Sequence, residues 1–381
     1  MIESYIQLLA EDARLEAMNR ALSIAVRPGD VVLDVGTGTG AFALFAARAG
    51  ARRVYAVERD EIVEVAHCLV QANDAAHIVE VIEADAATWV PPEPVDVVVY
   101  EDLEDVGIGA TVASLASRLR RYLAPGGRFV PESITVRAAP VENEPQHLRS
   151  FPWGEGRAYD LDLTPLKSMA AHIRSNCALR EEDLLATPDS FFSHRVGESL
   201  PPQGEATAHF AVLREGIMHG VAVWFDAVLA PGVDWSNAPA EEPTIWQNAF
   251  LHTRTAPRVR PGEWVRVRLS HAPWGADCWI WSWHVEIEDA GGTARHSEDC
   301  SEFHSLPMSV ARLRARSLDH PLQPDRSAEK ELRIFELVDG RRTARQIGEE
   351  LSRQNPDLFP EAEQAAREVI AIVRPPGTPL V

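Results

Sequence analysis

Apolar positions fall into three successive patterns along the chain. From Ile2 to Leu22 they recur at helical spacing, with Ile6, Leu9, Ala13 and Ala17 near one stripe, which predicts a leading helix. Past the turn Arg27-Pro28-Gly29-Asp30, apolar runs alternate with helix-favouring stretches. Strands are predicted over 31–35, 53–57, 78–82, 95–100 and 128–130, and helices over 41–49, 61–72 and 109–123. That alternation belongs to a doubly wound parallel α/β sheet. Between about residues 132 and 310 the runs become short and alternating, as in Ser133 to Ala138, Thr207 to Leu213, Gly220 to Leu229, Trp264 to Ser270 and Trp279 to Ile287. This is the spacing of an antiparallel sandwich or barrel. Leu166 to Leu185 interrupts it with a helical pattern. Amphipathic helices return over Ala328 to Val338 and Ala362 to Val373, with Thr343 placed to cap another between them. Three domains are therefore expected, over 1–131, 132–315 with a helical arm at about 166–185, and 316–381.

Candidate chemistry concentrates at Val31-Val32-Leu33-Asp34-Val35-Gly36-Thr37-Gly38-Thr39-Gly40, followed at once by the Ala-rich stretch 41–48. A buried strand runs into glycines at every second position and then into a helix, and ligands of open α/β sheets bind at that junction. A glycine loop alone fits an ordinary tight turn equally well; its surroundings decide. Arg53-Val54-Tyr55-Ala56-Val57-Glu58 is a second strand ending in an acid about twenty residues past the loop, where a carboxylate holds two ribose hydroxyls. Dinucleotide sites favour Gly-x-Gly-x-x-Gly and a pyrophosphate; here the third glycine comes early and Asp34 flanks the loop. An acid repels phosphate and suits a sulfonium and an ammonium, so S-adenosylmethionine is favoured over NAD. Asp85, after the third strand, is placed to accept from an adenine amino group, and a solvated loop acid fits that position nearly as well. Glu101 ends the fourth strand, where substrate contacts collect.

Composition narrows this further. A formal charge of −20 lacks the basic face that nucleic acid requires, and it is compatible with cationic substrates as well as with plain solubility. Cys68, Cys177, Cys278 and Cys300 lack C-x-x-C spacing, so neither a zinc site nor a disulfide framework is expected, and no metal is assigned. No apolar run reaches a membrane span, and the N-terminus lacks a signal peptide's pattern, so a cytoplasmic protein is expected. His219, His252 and His271 have no ligand spacing and read as hydrogen-bonded core or surface histidines; the tryptophans between Trp224 and Trp283 read as sheet core.

On these residues the chain resembles the protein arginine methyltransferases over roughly residues 5 to 290. The loop Val32 to Gly40 and its continuation Phe45-Ala46-Ala47-Arg48-Ala49-Gly50-Ala51-Arg52-Arg53-Val54-Tyr55-Ala56-Val57-Glu58 carry the likeness. Glu11-Asp12-Ala13-Arg14-Leu15-Glu16-Ala17-Met18 is similar to the family's Asp-x-x-Arg-x-x-x-Tyr helix, with Met18 in place of the tyrosine. The resemblance implies a Rossmann-like class I methyltransferase domain followed by an antiparallel β-barrel. It implies S-adenosylmethionine as cofactor, held by Arg14 on the methionine carboxylate and by Asp34, Gly36, Thr37, Gly38, Gly40, Glu58 and Asp85. Ala158 to Leu163 resembles the start of the family's dimerisation arm, which implies a homodimer. Gly220-Val221-Ala222-Val223-Trp224-Phe225-Asp226 and Pro243-Thr244-Ile245-Trp246 resemble its barrel signatures.

The departures are specific. The family's fourth strand ends in a glutamate, matched by Glu101, and a second follows about nine residues on to complete a clamp around guanidinium; that position is Ala110 here, which leaves Glu104 or Asp105 as the substitute. Ile245 stands where the family's threonine-histidine-tryptophan loop has its histidine. No counterpart of the leading tyrosine-bearing helix is expected, because four residues precede Tyr5. Leu337 to Ile347 is similar, more faintly, to small PqqD-like domains that hold leader peptides, which usually bring a β-hairpin as well. The expected activity is methyl transfer to a peptide or protein side chain, arginine first, with Glu101 and Glu104 as the catalytic carboxylates. Another acceptor within a ribosomal-peptide pathway, and a non-catalytic scaffold keeping the fold, are the competing readings.

Overall fold

Residues Val31 to Val35 are buried on both faces, as a strand flanked by neighbours and covered by helices must be. In the computed structural model, which describes residues 2–101, 103–154, 156–240, 244–274, 278–315, 321 and 324–373, this strand (β1) is the centre of a five-stranded parallel sheet. Its companions are β2 (Arg53–Glu58), β3 (Val79–Glu83), β4 (Val95–Tyr100) and β5 (Leu123–Val130), in spatial order β3-β2-β1-β4-β5. The order reverses between β1 and β4, and the crevice at that reversal is where such sheets bind ligands. Helices α3 (Ala41–Arg48), α4 (Val63–Ala72) and α5 (Ala110–Leu119) complete the alternation. β5 begins at Leu123, five residues before its expected start, because Leu123 already pairs with Val95 and Ala124 to Gly127 loop out before Arg128 meets Val97.

The leading helix is two helices, α1 (Ile2–Leu9) and α2 (Asp12–Ala25). Their break at Ala10–Glu11 separates two environments. α2 buries Arg14, Met18, Ala21, Leu22 and Ala25 against the sheet domain, whereas α1 buries none of its residues. An acid at Asp12 favours a helix start at that point.

Downstream, Asp189–Arg195, Ser133–Val141, Gly220–Ala230, Asn248–His252 and Arg174–Cys177 form one antiparallel path, extended by Val233–Ser236. Gly204–Ala211, Trp264–Pro273, Trp279–Glu288 and Ala294–Ser301 form a second, four-stranded sheet. Their inner faces share one core containing Phe210, Leu251, Trp281, Trp283 and Ile287, with bridges at Val141–Leu184 and Ala186–Val212. The barrel expectation is met as two facing sheets; hydrogen bonds do not close a ring among the described residues. The helical reading of 166–185 is corrected: the helix is Thr164–Ala170, Arg174–Cys177 is an edge strand, and Glu181–Asp183 is one 3-10 turn. Ser175 and Asn176 have weak helical preference, and pairing with Asn248–Leu251 decides their state.

The two halves of residues 1–306, which form one compact unit, exchange core residues. Val106, Ile108 and Ala110 belong to the antiparallel core, while Ile134, Phe225 and Trp235 belong to the core of the parallel sheet. A second compact unit begins at Pro307. Its helices Arg326–Leu337, Ala344–Gln354 and Ala362–Ile372 bury Ile334, Ile347, Leu351, Phe359, Ala365 and Val369, and Thr343 and Gln346 form the capping box of the middle one. Among its described residues there is no β-hairpin of the kind the peptide-holding domains bring; residues 316–320, 322–323 and 374–381 of the expected module lie outside those described.

Candidate functional site

A cavity of about 710 Å3 opens at the carboxyl ends of β1, β2 and β4. Its floor is the glycine loop. Gly36, Gly38 and Gly40 all have positive φ (66°, 55° and 82°), and the backbone N–H groups of Gly36 and Thr37 donate to the Val57 carbonyl at 2.9 and 3.1 Å. Glu58 splints the loop: its Oε2 accepts from the Gly38 N–H at 2.9 Å, while Oε1 accepts from the Arg59 and Asp60 N–H groups at 2.8 and 3.0 Å. Asp85 also lines the cavity, with Oδ1 accepting from the Ala87 N–H at 2.8 Å. Five acidic residues (Asp34, Glu58, Asp60, Asp85 and Glu101) line the cavity with two arginines, Arg14 and Arg59, an acidic excess that favours a cationic ligand.

Asp34 is 1% exposed and accepts from the Thr37 hydroxyl. Burial pushes its pKa up to about 7, against the Thr37 hydroxyl and the Ala43 N–H, which stabilise the charge; Glu58 and Glu101 push upward too. It therefore orients the loop and the start of α3. A folded-state pKa above the unfolded value gives stability that is complete below about pH 4 and is lost as pH rises through 7. The wild-type chain is thus expected to lose about 2–3 kcal/mol of unfolding free energy between pH 5 and 8 that Asp34→Asn keeps. Denaturant titrations at the two pH values check this, and parallel profiles for the two chains would refute it.

The missing lid is present. α1 lays Tyr5 over the loop, with its Cε1 3.0 Å from where a Cβ on Gly38 would stand, and Ser4, Leu8 and Leu9 join the cavity wall. This corrects the expectation of no counterpart: the short stretch before Ala10 is long enough for two helical turns. Gly38→Ala meets both the ring and a positive φ. Because α1 buries none of its own residues, Tyr5 yields first, and binding of S-adenosylhomocysteine, the probe for the cofactor expected from the sequence, should weaken about tenfold by calorimetry.

Arg14 and Glu101, 87 positions apart, meet side-on. Arg14 Nε donates to Glu101 Oε1 at 2.6 Å and Nη2 to Oε2 at 2.8 Å, while the guanidinium lies 5.0 Å from the Phe42 ring centroid. Both side chains are nearly buried, 8% and 11% exposed. Burial by itself disfavours the Arg14 charge, yet Glu101, with Glu11 beyond it, holds its pKa above the ordinary value. The arginine expected on the cofactor and the carboxylate expected on the substrate are thus partners of each other.

Glu104 is not among the described residues lining the cavity. Its carboxylate occupies the place a Cβ on Gly109 would take, at the start of α5. Asp105 pairs with Arg174. Between these acids and α5 the loop is anchored by Val106 and Ile108, which are buried in the antiparallel core. Ile245 and Trp246 close the far wall, and the Ile245 N–H donates to Glu11 Oε1 at 3.4 Å, a hold the sequence did not reveal; Pro243 of that signature lies outside the described residues. The place of Tyr5 over the glycine loop had no signal in the sequence. His252 is fully buried, its Nε2 within 3.0 Å of the Ser150 and Ser175 hydroxyls, as a core histidine should be.

The family described as ribosomal protein L11 methyltransferase (PrmA) matches residues 15–140. Protein arginine N-methyltransferase 6 of Xenopus tropicalis is 29% identical over 261 residues, covering 65% of this chain and 76% of that one. Histone-arginine methyltransferase CARMER of Drosophila willistoni is 28% identical over 266 residues, covering 62% of this chain and 44% of that one. Among solved structures, Arabidopsis thaliana protein arginine methyltransferase 10 superposes with a TM-score of 0.69 at 22% identity, over 79% of this chain and 98% of that one. The Trypanosoma brucei PRMT1 enzyme-prozyme complex with AdoHcy gives 0.70 at 18% identity over the same shares.

Proposed function

We propose that this chain, which resembles the protein arginine methyltransferases in sequence and in fold, is an S-adenosylmethionine-dependent methyltransferase acting on a peptide or protein side chain, arginine first. One observation carries the choice of acceptor: Glu101 already holds a guanidinium side-on inside the cavity, with both of its oxygens engaged. A carboxylate set in that geometry at the end of β4 is fitted to an arginine acceptor once Arg14 is drawn elsewhere.

The residues present fit the cofactor. The glycine loop admits close backbone approach, and of the carboxylates lining the cavity Glu58 would hold the ribose hydroxyls and Asp85 would accept from an adenine amino group. The Trp246 indole N–H, on the same wall, has no partner among the described residues. Arg14 would hold the methionine carboxylate. Bound there, S-adenosylmethionine supplies an electrophilic methyl on a positively charged sulfur. Glu101 would grip the acceptor guanidinium and, by localising its positive charge, raise electron density on the nitrogen that attacks. α1, with Tyr5, and the Ile245–Trp246 wall exclude water, so alignment and desolvation supply most of the rate. Glu104 enters this reading as the support of α5's start, within one loop of Glu101.

The exposed apolar residues Tyr159, Leu161, Leu166 and Ile173 around the short hairpin and helix of residues 157–170 support a homodimer formed through this arm. No described helix is long and apolar enough to cross a membrane, and a cytoplasmic site of action belongs to this reading. Leader-peptide holding by the C-terminal unit, whose described elements are helices, has no support in its fold.

Transfer of labelled methyl from S-adenosylmethionine to arginine peptides, against lysine peptides of the same context, tests the reading. Calorimetric binding with label on another residue type moves the acceptor elsewhere; no binding at millimolar cofactor leaves the scaffold.

A further inference from the structure

The loop after Glu101 is fixed by the antiparallel half of the unit, at four successive residues. Val106 and Ile108 are buried in its core. Gly107, at φ 75°, sits where a Cβ would stand 2.6 Å from the Phe225 Cβ. Asn237 is 1% exposed; its Oδ1 accepts from the Phe225 N–H at 2.8 Å, and its Nδ2 donates to the Asp105 carbonyl at 3.3 Å. The fourth hold is electrostatic. The Asp105 carboxylate meets Nη1 of Arg174, whose Nε donates to Glu302 Oε1 at 3.1 Å, and Glu302 Oε2 in turn accepts from the Trp281 N–H at 2.9 Å. The three side chains are only 12–19% exposed.

Desolvating three charges makes this a poor device for stability alone, since apolar residues would fill the place at less cost. What an arginine adds is direction: a planar fork with one edge on the loop and another on the four-stranded sheet fixes where Asp105 stands, and Glu101 lies four residues before it. Arg174 is also the first residue of the strand that returns the segment after helix Thr164–Ala170 to the sheet.

We propose that Arg174 is a positioning residue for the acceptor, bridging Asp105 to Glu302 so that the loop following Glu101 is registered on the antiparallel sheets. Its kinetic consequence rests on the arginine-methyltransferase reading; its structural consequence rests on the geometry alone. The cofactor side of the cavity, on β1 and β2, does not depend on it.

Two variants of the full chain test this. Asp105→Asn leaves Arg174 paired with Glu302, so the fold is retained while the ionic tether to the loop is reduced to a neutral hydrogen bond. Arg174→Lys keeps a charge that cannot span both carboxylates. Amide exchange at residues 103–109 is expected to quicken about tenfold in each, with 31–58 unchanged. The KM for an arginine peptide should rise about tenfold, kcat should change less than about threefold, and S-adenosylhomocysteine affinity should hold. Unchanged exchange at 103–109 in both variants overturns the proposal. So does a loosened loop with an unchanged KM, and so does exchange rising across the whole unit together with lost S-adenosylhomocysteine binding. Should the wild-type chain methylate no peptide, the functional reading fails while the exchange result still decides the tether.

Discussion

Glu101→Gln is expected to lower kcat/KM for an arginine peptide by about two to three orders of magnitude while S-adenosylhomocysteine binds as well as before or more tightly. The first effect follows from the charge. A neutral amide keeps one acceptor oxygen but cannot face a guanidinium with two, and it no longer localises positive charge on the acceptor. The second effect follows from the partner. Glu101 accepts from both Nε and Nη2 of Arg14, so a cofactor carboxylate would compete with it for that guanidinium. Glutamine weakens that competitor, and Arg14 is left with the cofactor's carboxylate as its best anion. The unliganded variant should be less stable by about 1–3 kcal/mol, because a buried guanidinium has lost a charged partner, and S-adenosylhomocysteine should restore most of that loss. Stopped transfer together with weakened cofactor binding would instead make Glu101 part of the cofactor site. Undiminished transfer would remove it from the reaction.

How much of this was legible depends on the distance over which each feature is decided. The parallel sheet was readable because Val31–Val35, Arg53–Glu58 and Val95–Tyr100 are short β-branched runs whose burial on both faces demands apolar sequence. The glycine loop and Glu58 were readable because loop and acid are joined by one helix and one strand of nearly fixed length. Arg174–Cys177 was not readable as a strand: an edge strand with Ser and Asn is set by its partner Asn248–Leu251, more than seventy positions away. The break at Ala10–Glu11 was not legible because the stripe Ile6, Leu9, Ala13 and Ala17 reads straight through it, whereas Ile6 and Ala13 are exposed and the face that α2 buries is Arg14, Met18, Ala21, Leu22 and Ala25. Where the Glu104 carboxylate sits could not be read from its spacing, because Val106 and Ile108, buried in the second core, set the course of the loop that brings it against Gly109. The Arg14–Glu101 pair joins a helix to a strand end across 87 positions. Each residue drew attention separately, and no local pattern says that they meet.

Arg14→Met should be the most damaging single change in the site. It removes the fork from Glu101 and leaves a carboxylate 11% exposed, with Asp34 and Glu58 lining the same cavity. Breaking a buried pair from one side costs about 3–5 kcal/mol, more than removing both partners, because the remaining charge has lost its compensation. The double variant Arg14→Met with Glu101→Leu should therefore regain part of the stability that the single change loses, giving a coupling of about 2–3 kcal/mol by denaturant titration. Stability and function then separate. Neither variant has a guanidinium for the methionine carboxylate, so S-adenosylhomocysteine affinity should fall about a hundredfold in both, even where folding has recovered. Arg14→Lys separates the two roles: it retains the charge near Glu101, but it offers no planar edge to Glu101 or to the cofactor and no flat face to Phe42, so it should recover more stability than affinity. If affinity instead tracks stability across all three variants, Arg14 acts only as a brace between α2 and β4, and the cofactor's carboxylate must be held elsewhere.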